Sequence, residues 1–119
     1  MLNIRWLAAT SMTAVFMVGH VNTFAADAGN AVRGKTAYVK NGCWQCHGFV
    51  GQGGIAGPKL APEPLPLPAL SAFVRNSRGP MPPYMEAVLP NEELADIHAY
   101  LQSIPKAADY KSIPLLNHP

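Results

Sequence analysis

Cys43-Trp44-Gln45-Cys46-His47 sets two thiols two residues apart and an imidazole directly after the second. These residue types in this order suit one chemistry above others. Two thiols on a helical turn can add across the two vinyl groups of a porphyrin. The following side chain is then carried beneath the iron, where its imidazole can serve as the proximal ligand. Three other chemistries use the same pair. A structural zinc needs four ligands, and no second Cys/His pair follows at a usable spacing. A thioredoxin-like redox pair needs a βαβ context that this chain lacks. An ordinary disulfide is open to any exported chain. Cys43 and Cys46 are the only cysteines, so neither is spare for a second role. The motif reads as covalent attachment of haem c, one per chain. A two-haem peroxidase is excluded because the motif occurs once.

An electron-transfer haem needs a sixth ligand. The candidates are Met81, Met85, His98 and His118, since Met12 and Met17 lie in the leader described below. A neutral, soft thioether favours Fe(II) and raises the potential. Met81 is the favoured residue. It sits in Gly79-Pro80-Met81-Pro82-Pro83, a rigid extended segment that can hold a flexible side chain with little entropy left to lose. Met85, one turn on, reads as a packing residue. His98 falls on the polar side of the last helix and reads as a solvent histidine. An open sixth position is the remaining alternative.

Residues 1–25 read as a secretory signal peptide. Arg5 is the positive end, Trp6 to Gly19 is apolar and uncharged, and Thr23-Phe24-Ala25 offers small residues before a cut near Ala25. The stretch is short of the roughly 20 apolar residues of a membrane span, although a retained anchor is the competing reading. The mature chain, 26–119, is then one exported domain in the periplasm with no transmembrane segment. The whole chain carries net charge +2, and loss of Arg5 with the leader reduces it by one. So weak a field gives no support for nucleic-acid binding or a polybasic membrane patch. A domain this small is marginal on its own core, and a bound macrocycle would complete it.

The elements that must position these groups are helical. Asn30 caps a helix over 30–41 whose inner face is Ala31, Gly34, Ala37 and Tyr38, with Arg33, Lys35 and Lys40 facing water and Gly42 ending it. Gly34 is a poor helix former, so it serves close approach by another helix. Residues 48–68 show neither period. Gly51, Gly53, Gly54 and Gly57 punctuate them, and Pro62, Pro64, Pro66 and Pro68 favour an extended wrap around the haem edge. A short helix follows over 69–77, with Pro68 at its first position and Leu70, Phe73 and Val74 as its apolar stripe. The last helix covers 91–103, capped by Asn91 or opened by Pro90. Glu92 and Glu93 sit at its positive end, and Leu94, Ile97, Leu101 and Ile104 line one face with Tyr100 beside them. Residues 106–119 read as a coil tail, with Tyr110, Ile113, Leu115 and Leu116 too apolar for an idle end.

The chain resembles the class I cytochrome c family. The resemblance rests on Gly34 and Tyr38, on Cys43 to His47, and on Gly57-Pro58 with Leu60. It continues through Met81-Pro82 with Tyr84 to Glu92-Glu93-Leu94 with Ile97, Tyr100 and Leu101. It covers the mature chain to about Pro105. It implies an all-α small cytochrome c fold, with N- and C-terminal helices crossed beside a covalently bound haem. Gly34 and Tyr38 would then meet Leu94, Ile97 and Leu101. It also implies that the backbone around Pro58 orients the His47 imidazole. The interval from His47 to Met81 is short for the family, so the Pro-rich wrap replaces its middle helices.

The expected function is one-electron transfer, with His47 and Met81 on opposite faces of the iron, and not an enzyme activity. Expected partners are redox proteins: a dehydrogenase donor, and an oxidase or cytochrome acceptor. The weak charge and apolar tail favour the cytochrome subunit or dedicated partner of an exported dehydrogenase or respiratory chain over a free carrier. A haem sensor or catalyst with a labile or open sixth position is the alternative class. Attachment is testable directly: colour should survive acid–acetone extraction, and the Cys43→Ala/Cys46→Ala double variant should lose it. Colour that extracts from the unsubstituted protein would rule out the thioether bonds.

Overall fold

The computed structural model describes residues 29–117, and these form an all-helical domain without strands. The proposed leader and His118 lie outside the described residues. Four α-helices occur in order: α1 (Ala31–Lys40), α2 (Trp44–His47), α3 (Leu67–Asn76) and α4 (Asn91–Ser103). None is long and apolar enough to cross a membrane.

α1 starts as its sequence dictates. The Asn30 side chain accepts from the Val32 and Arg33 amides, both at 3.0 Å, and so satisfies two of the orphan donors of the first turn. Asn41 and Gly42 (φ +73°) close the other end. α3 begins two residues earlier than the pattern predicts. Pro66 is its N-cap and Pro68 its second residue. The first-turn amides have no intrahelical acceptor, so proline is tolerated at either position. α4 has the predicted bounds, but Pro90 takes the N-cap place and the Asn91 side chain does not cap it. That side chain instead donates to Glu86 (Nδ2 to Oε1, 2.7 Å).

The fold is organised by the crossing of α1 over α4, as the resemblance implies. Gly34 lies at the crossing, but against different residues from those expected. A Cβ there would overlap the Asp96 carbonyl and stand 2.9 Å from Tyr100 Cβ. The backbone of α4 therefore occupies the space a side chain would take. Tyr38 packs against Tyr100 with the rings tilted at 58° and their centroids 5.6 Å apart. Leu94, Ile97 and Leu101 complete the seam and are buried with Leu70, Val74 and Leu89.

One residue of α4 escapes the sequence pattern. Asp96 is buried, at 3% exposure, although it lies one residue before Ile97 and off the Leu94, Ile97 and Leu101 stripe, on the side of Tyr100 that meets α1. It accepts from the Asn30 amide and from the Arg33 guanidinium, Nε at 2.7 Å and Nη2 at 3.0 Å. Arg33 thus does not simply face water. The Arg33 hydrogen bonds, the largest influence, hold the Asp96 carboxyl below its usual range, with the Asn30 amide adding to them against the cost of burial. At the rim of the crossing Lys40 pairs with Glu93 at 2.8 Å.

The tail leaves the core. Two single 3-10 turns, Tyr110–Ser112 and Pro114–Leu116, interrupt the predicted coil. Asp109 caps the first, and Asn117 Nδ2 donates to the carbonyls of Tyr110, Lys111 and Ile113. Tyr110, Ile113, Leu115 and Leu116 all remain exposed.

Two outcomes test the crossing. In an isolated helix Gly34→Ala would gain about 1 kcal/mol. Here it should lose about 1–3 kcal/mol by overpacking, read as a lower denaturant midpoint. A gain would mean that the helices stand further apart. Asp96→Asn should lower the melting temperature at pH 7. A carboxyl with a depressed pKa stabilises the fold above its unfolded value, about 3.9, and that stability is lost as pH falls through the folded value. The two proteins should therefore converge below about pH 4, and a gap independent of pH would refute the ion pair.

Candidate functional site

The two cysteines arise from a tight local arrangement. Cys43 has helical backbone angles and caps α2, whose four residues end at Gly48. The His47 amide donates to the Cys43 carbonyl at 3.0 Å, so Cys43, Cys46 and His47 share one turn. The thiols are free, which leaves the disulfide reading without support. Burial pushes the Cys43 thiol up to about 11. That is the opposite direction from the acidic thiol of a redox pair. No cluster of three or more His, Cys, Asp or Glu suited to a metal ion occurs among the described residues, so the zinc reading has no ligand set.

Cys43, Cys46 and His47 open onto a cavity of about 510 Å³. Met81 lines the same cavity, as do Pro58 and Leu60 from the wrap. α3 contributes Leu70, Phe73 and Val74, and α4 contributes Ile97 and Leu101. Phe73, although 55% exposed, is thus turned to the hollow as the third member of the predicted stripe. The walls are mostly apolar, with Lys59, Glu63 and Arg78 as charged groups among them. A hollow of this size, apolar with a few polar groups, is the form of a cofactor site.

The imidazole is fixed. His47 is buried, and its Nδ1 lies 2.8 Å from the Pro58 carbonyl. That oxygen can only accept, so Nδ1 carries the proton and Nε2 keeps its lone pair for a ligand. The loop comes this close because residue 57 is glycine. A Cβ there would stand 2.9 Å from both His47 Nδ1 and the Cys46 carbonyl. The wrap has internal order as well: the Gly53 amide donates to the His47 carbonyl (2.8 Å), and the Leu60 amide donates to the Gly51 carbonyl (2.8 Å). No helix or strand interrupts 48–66, as the short interval between His47 and Met81 predicts.

The structure separates the methionines. Met81 is half-buried at the cavity, whereas Met85 is 71% exposed and does not line it. Met85 is thus not the packing residue that its position suggests. His98 is half-buried, not a free solvent histidine. Its Nε2 donates to the Leu65 carbonyl at 3.0 Å, which pins the wrap to α4.

Sequence reasoning missed the tyrosine hydroxyls. Tyr38 donates to the Gly48 carbonyl (2.8 Å), Tyr100 to Phe49 (3.2 Å) and Tyr84 to Asn41 (2.9 Å). Each satisfies a carbonyl just past a helix end, Asn41 after α1 and Gly48 and Phe49 after α2. Burial raises the pKa of all three. The signal available was that all three rings lie at core positions, where a phenol needs a partner.

A family model described as cytochrome c oxidase, cbb3-type, subunit III matches residues 29–101. That span takes in α1 to α3, the wrap, the cavity-lining residues and α4 up to Leu101. No curated protein and no solved structure gives a match.

Proposed function

The chain belongs to a class I cytochrome c-type family, that of cytochrome c oxidase, cbb3-type, subunit III, and we propose that it carries single electrons on one covalently attached haem with His/Met ligation. The family is one of haem-binding electron-transfer domains. One observation carries the finer reading: Cys43, Cys46, His47 and Met81 line one apolar cavity, with the His47 Nδ1 proton committed to Pro58.

The residues present suit the group. Cys43 and Cys46 would hold the macrocycle by thioether bonds. His47 Nε2 is available as proximal ligand, and the bond to Pro58 fixes the ring and strengthens it as a donor. Met81, on the same cavity, would supply its thioether as a second iron ligand. Lys59 and Arg78 offer cations to the propionate carboxylates. Bound there, haem supplies a reversible one-electron couple whose potential follows axial ligand, burial and hydrogen bonding. With His47 and Met81 both bound to the iron, a substrate would find no open site there, which supports an electron carrier over an enzyme.

Electrons would pass at the exposed side of α2. Cys46 is exposed there, and Trp44 stacks on Phe49 at 4.9 Å between centroids. Phe49 and Ile55 stand out to solvent. This apolar patch suits the small interfaces of transient redox partners. We place the chain as the cytochrome partner or subunit of an exported dehydrogenase or respiratory chain. The family description, an oxidase subunit, supports a place within a complex. The tail supports it too, since its apolar side chains are presented and not packed. Export to the periplasm behind a leader ending near Ala25 belongs to the same reading.

Met81→Ala should abolish the methionine-to-iron charge-transfer band at the red end of the ferric spectrum and lower the potential. Met85→Ala should leave both in place. A band that survives Met81→Ala would transfer the ligand elsewhere. A high-spin spectrum with rapid carbon monoxide binding in the unsubstituted protein would establish the open-site alternative.

A further inference from the structure

The segment that carries Met81 has little to hold itself together. Pro80, Pro82 and Pro83 have no amide hydrogen to donate. Gly79, at φ +126°, has open space within 4 Å of where a Cβ would sit. At its near end the segment is tied by Ser77 Oγ, which donates to the Met81 carbonyl at 3.0 Å. At its far end the Tyr84 amide donates to the Val74 carbonyl at 2.9 Å.

Arg75 supplies the rest. It lies in the last turn of α3, where a cation is already favourable against the helix dipole. Its side chain does more than that. Nη1 donates to the Tyr84 carbonyl at 2.8 Å, and Nη2 donates to the Leu89 carbonyl at 2.7 Å and to Asn91 Oδ1 at 2.8 Å. One planar fork thereby joins the end of α3, the far end of the Met81 segment and the first residue of α4. An ammonium on a flexible stem reaches one of these acceptors well at a time and cannot reproduce the fork.

Resting on the reading of Met81 as axial ligand, we infer that Arg75 is a positioning residue that keeps the Met81 segment closed over the cavity and so sets how readily the sulfur is displaced from iron. Displacement by an external ligand requires the segment to open. The apparent affinity of that ligand then scales with the open fraction. Each charge-assisted hydrogen bond removed shifts the closed-to-open balance by about tenfold.

The test uses the full haem-loaded protein and imidazole as probe. Ferric protein is titrated at fixed neutral pH, and binding is read as loss of the methionine–iron charge-transfer band. Arg75→Lys should bind imidazole about tenfold tighter than the unsubstituted protein, and Arg75→Met tighter still. Asn30→Ala, which removes the α1 cap away from the cavity instead, should lower the melting temperature and leave imidazole affinity unchanged. Should Arg75→Met fail to load haem, Arg75→Lys decides alone. Unchanged imidazole affinity in Arg75→Lys, whatever its melting temperature, would reduce Arg75 to a structural residue and overturn the inference. An unsubstituted protein with no charge-transfer band would fail earlier, by removing Met81 as ligand and this inference with it.

Discussion

Backbone-to-backbone contact at Gly34 is the constraint on which the domain rests. Without a side chain there, α4 lies against α1 at the level of Asp96 and Tyr100. That approach aligns Tyr38 with Tyr100 and brings Ile97 and Leu101 to the wall of the cavity. It also brings Asp96 within reach of Arg33 and the start of α1, so a buried charge is satisfied at the same contact. Separating the helices by the width of a methyl group would strand that carboxylate and loosen two walls of the site together.

The remaining site residues are on irregular chain, which must satisfy its own carbonyls. Here side chains from neighbouring segments do so. Tyr38 of α1 and Tyr100 of α4 reach the carbonyls of Gly48 and Phe49, Tyr84 of the Met81 segment reaches Asn41, and His98 reaches Leu65. Among the described residues no buried side-chain nitrogen or oxygen lacks a partner. The wrap therefore keeps its course without secondary structure of its own, and Pro58 is held where its carbonyl meets His47. The ordering of a Gly- and Pro-rich segment thus follows from its neighbours and not from its composition.

What sequence could reveal follows from how local each feature is. The Cys43–His47 turn, the bounds of α4 and the Asn30 cap depend on residues within a turn or two, so spacing and type display them. Pro58 beside His47 was reachable through family resemblance, because the glycine-proline pair is short and specific. Asp96 was not legible. Its partner Arg33 lies 63 residues away, and a helical period places the aspartate off the Leu94, Ile97 and Leu101 stripe, where a charge reads as solvated. The contact of His98 with Leu65 is equally non-local, since only the path of the wrap makes them neighbours. α3 starts two residues before the expected place because proline suits several positions in a first turn equally.

The Arg75 fork also makes the chain between α3 and α4 a closed ring. Its two ends, at Arg75 and Asn91, are fastened 16 residues apart by one guanidinium, with Tyr84 and Leu89 fastened within it. A ring fastened at four points has a set circumference. The wrap at 48–66 is fastened too, through Gly53 and Pro58 to His47 and through Leu65 to His98. Added chain should therefore be resisted on both sides of α3, except around Gly79, where open space can take up an added residue. In an engineered or diverging chain, length would drift at Gly79 and stay fixed at the fastened points on either side of α3.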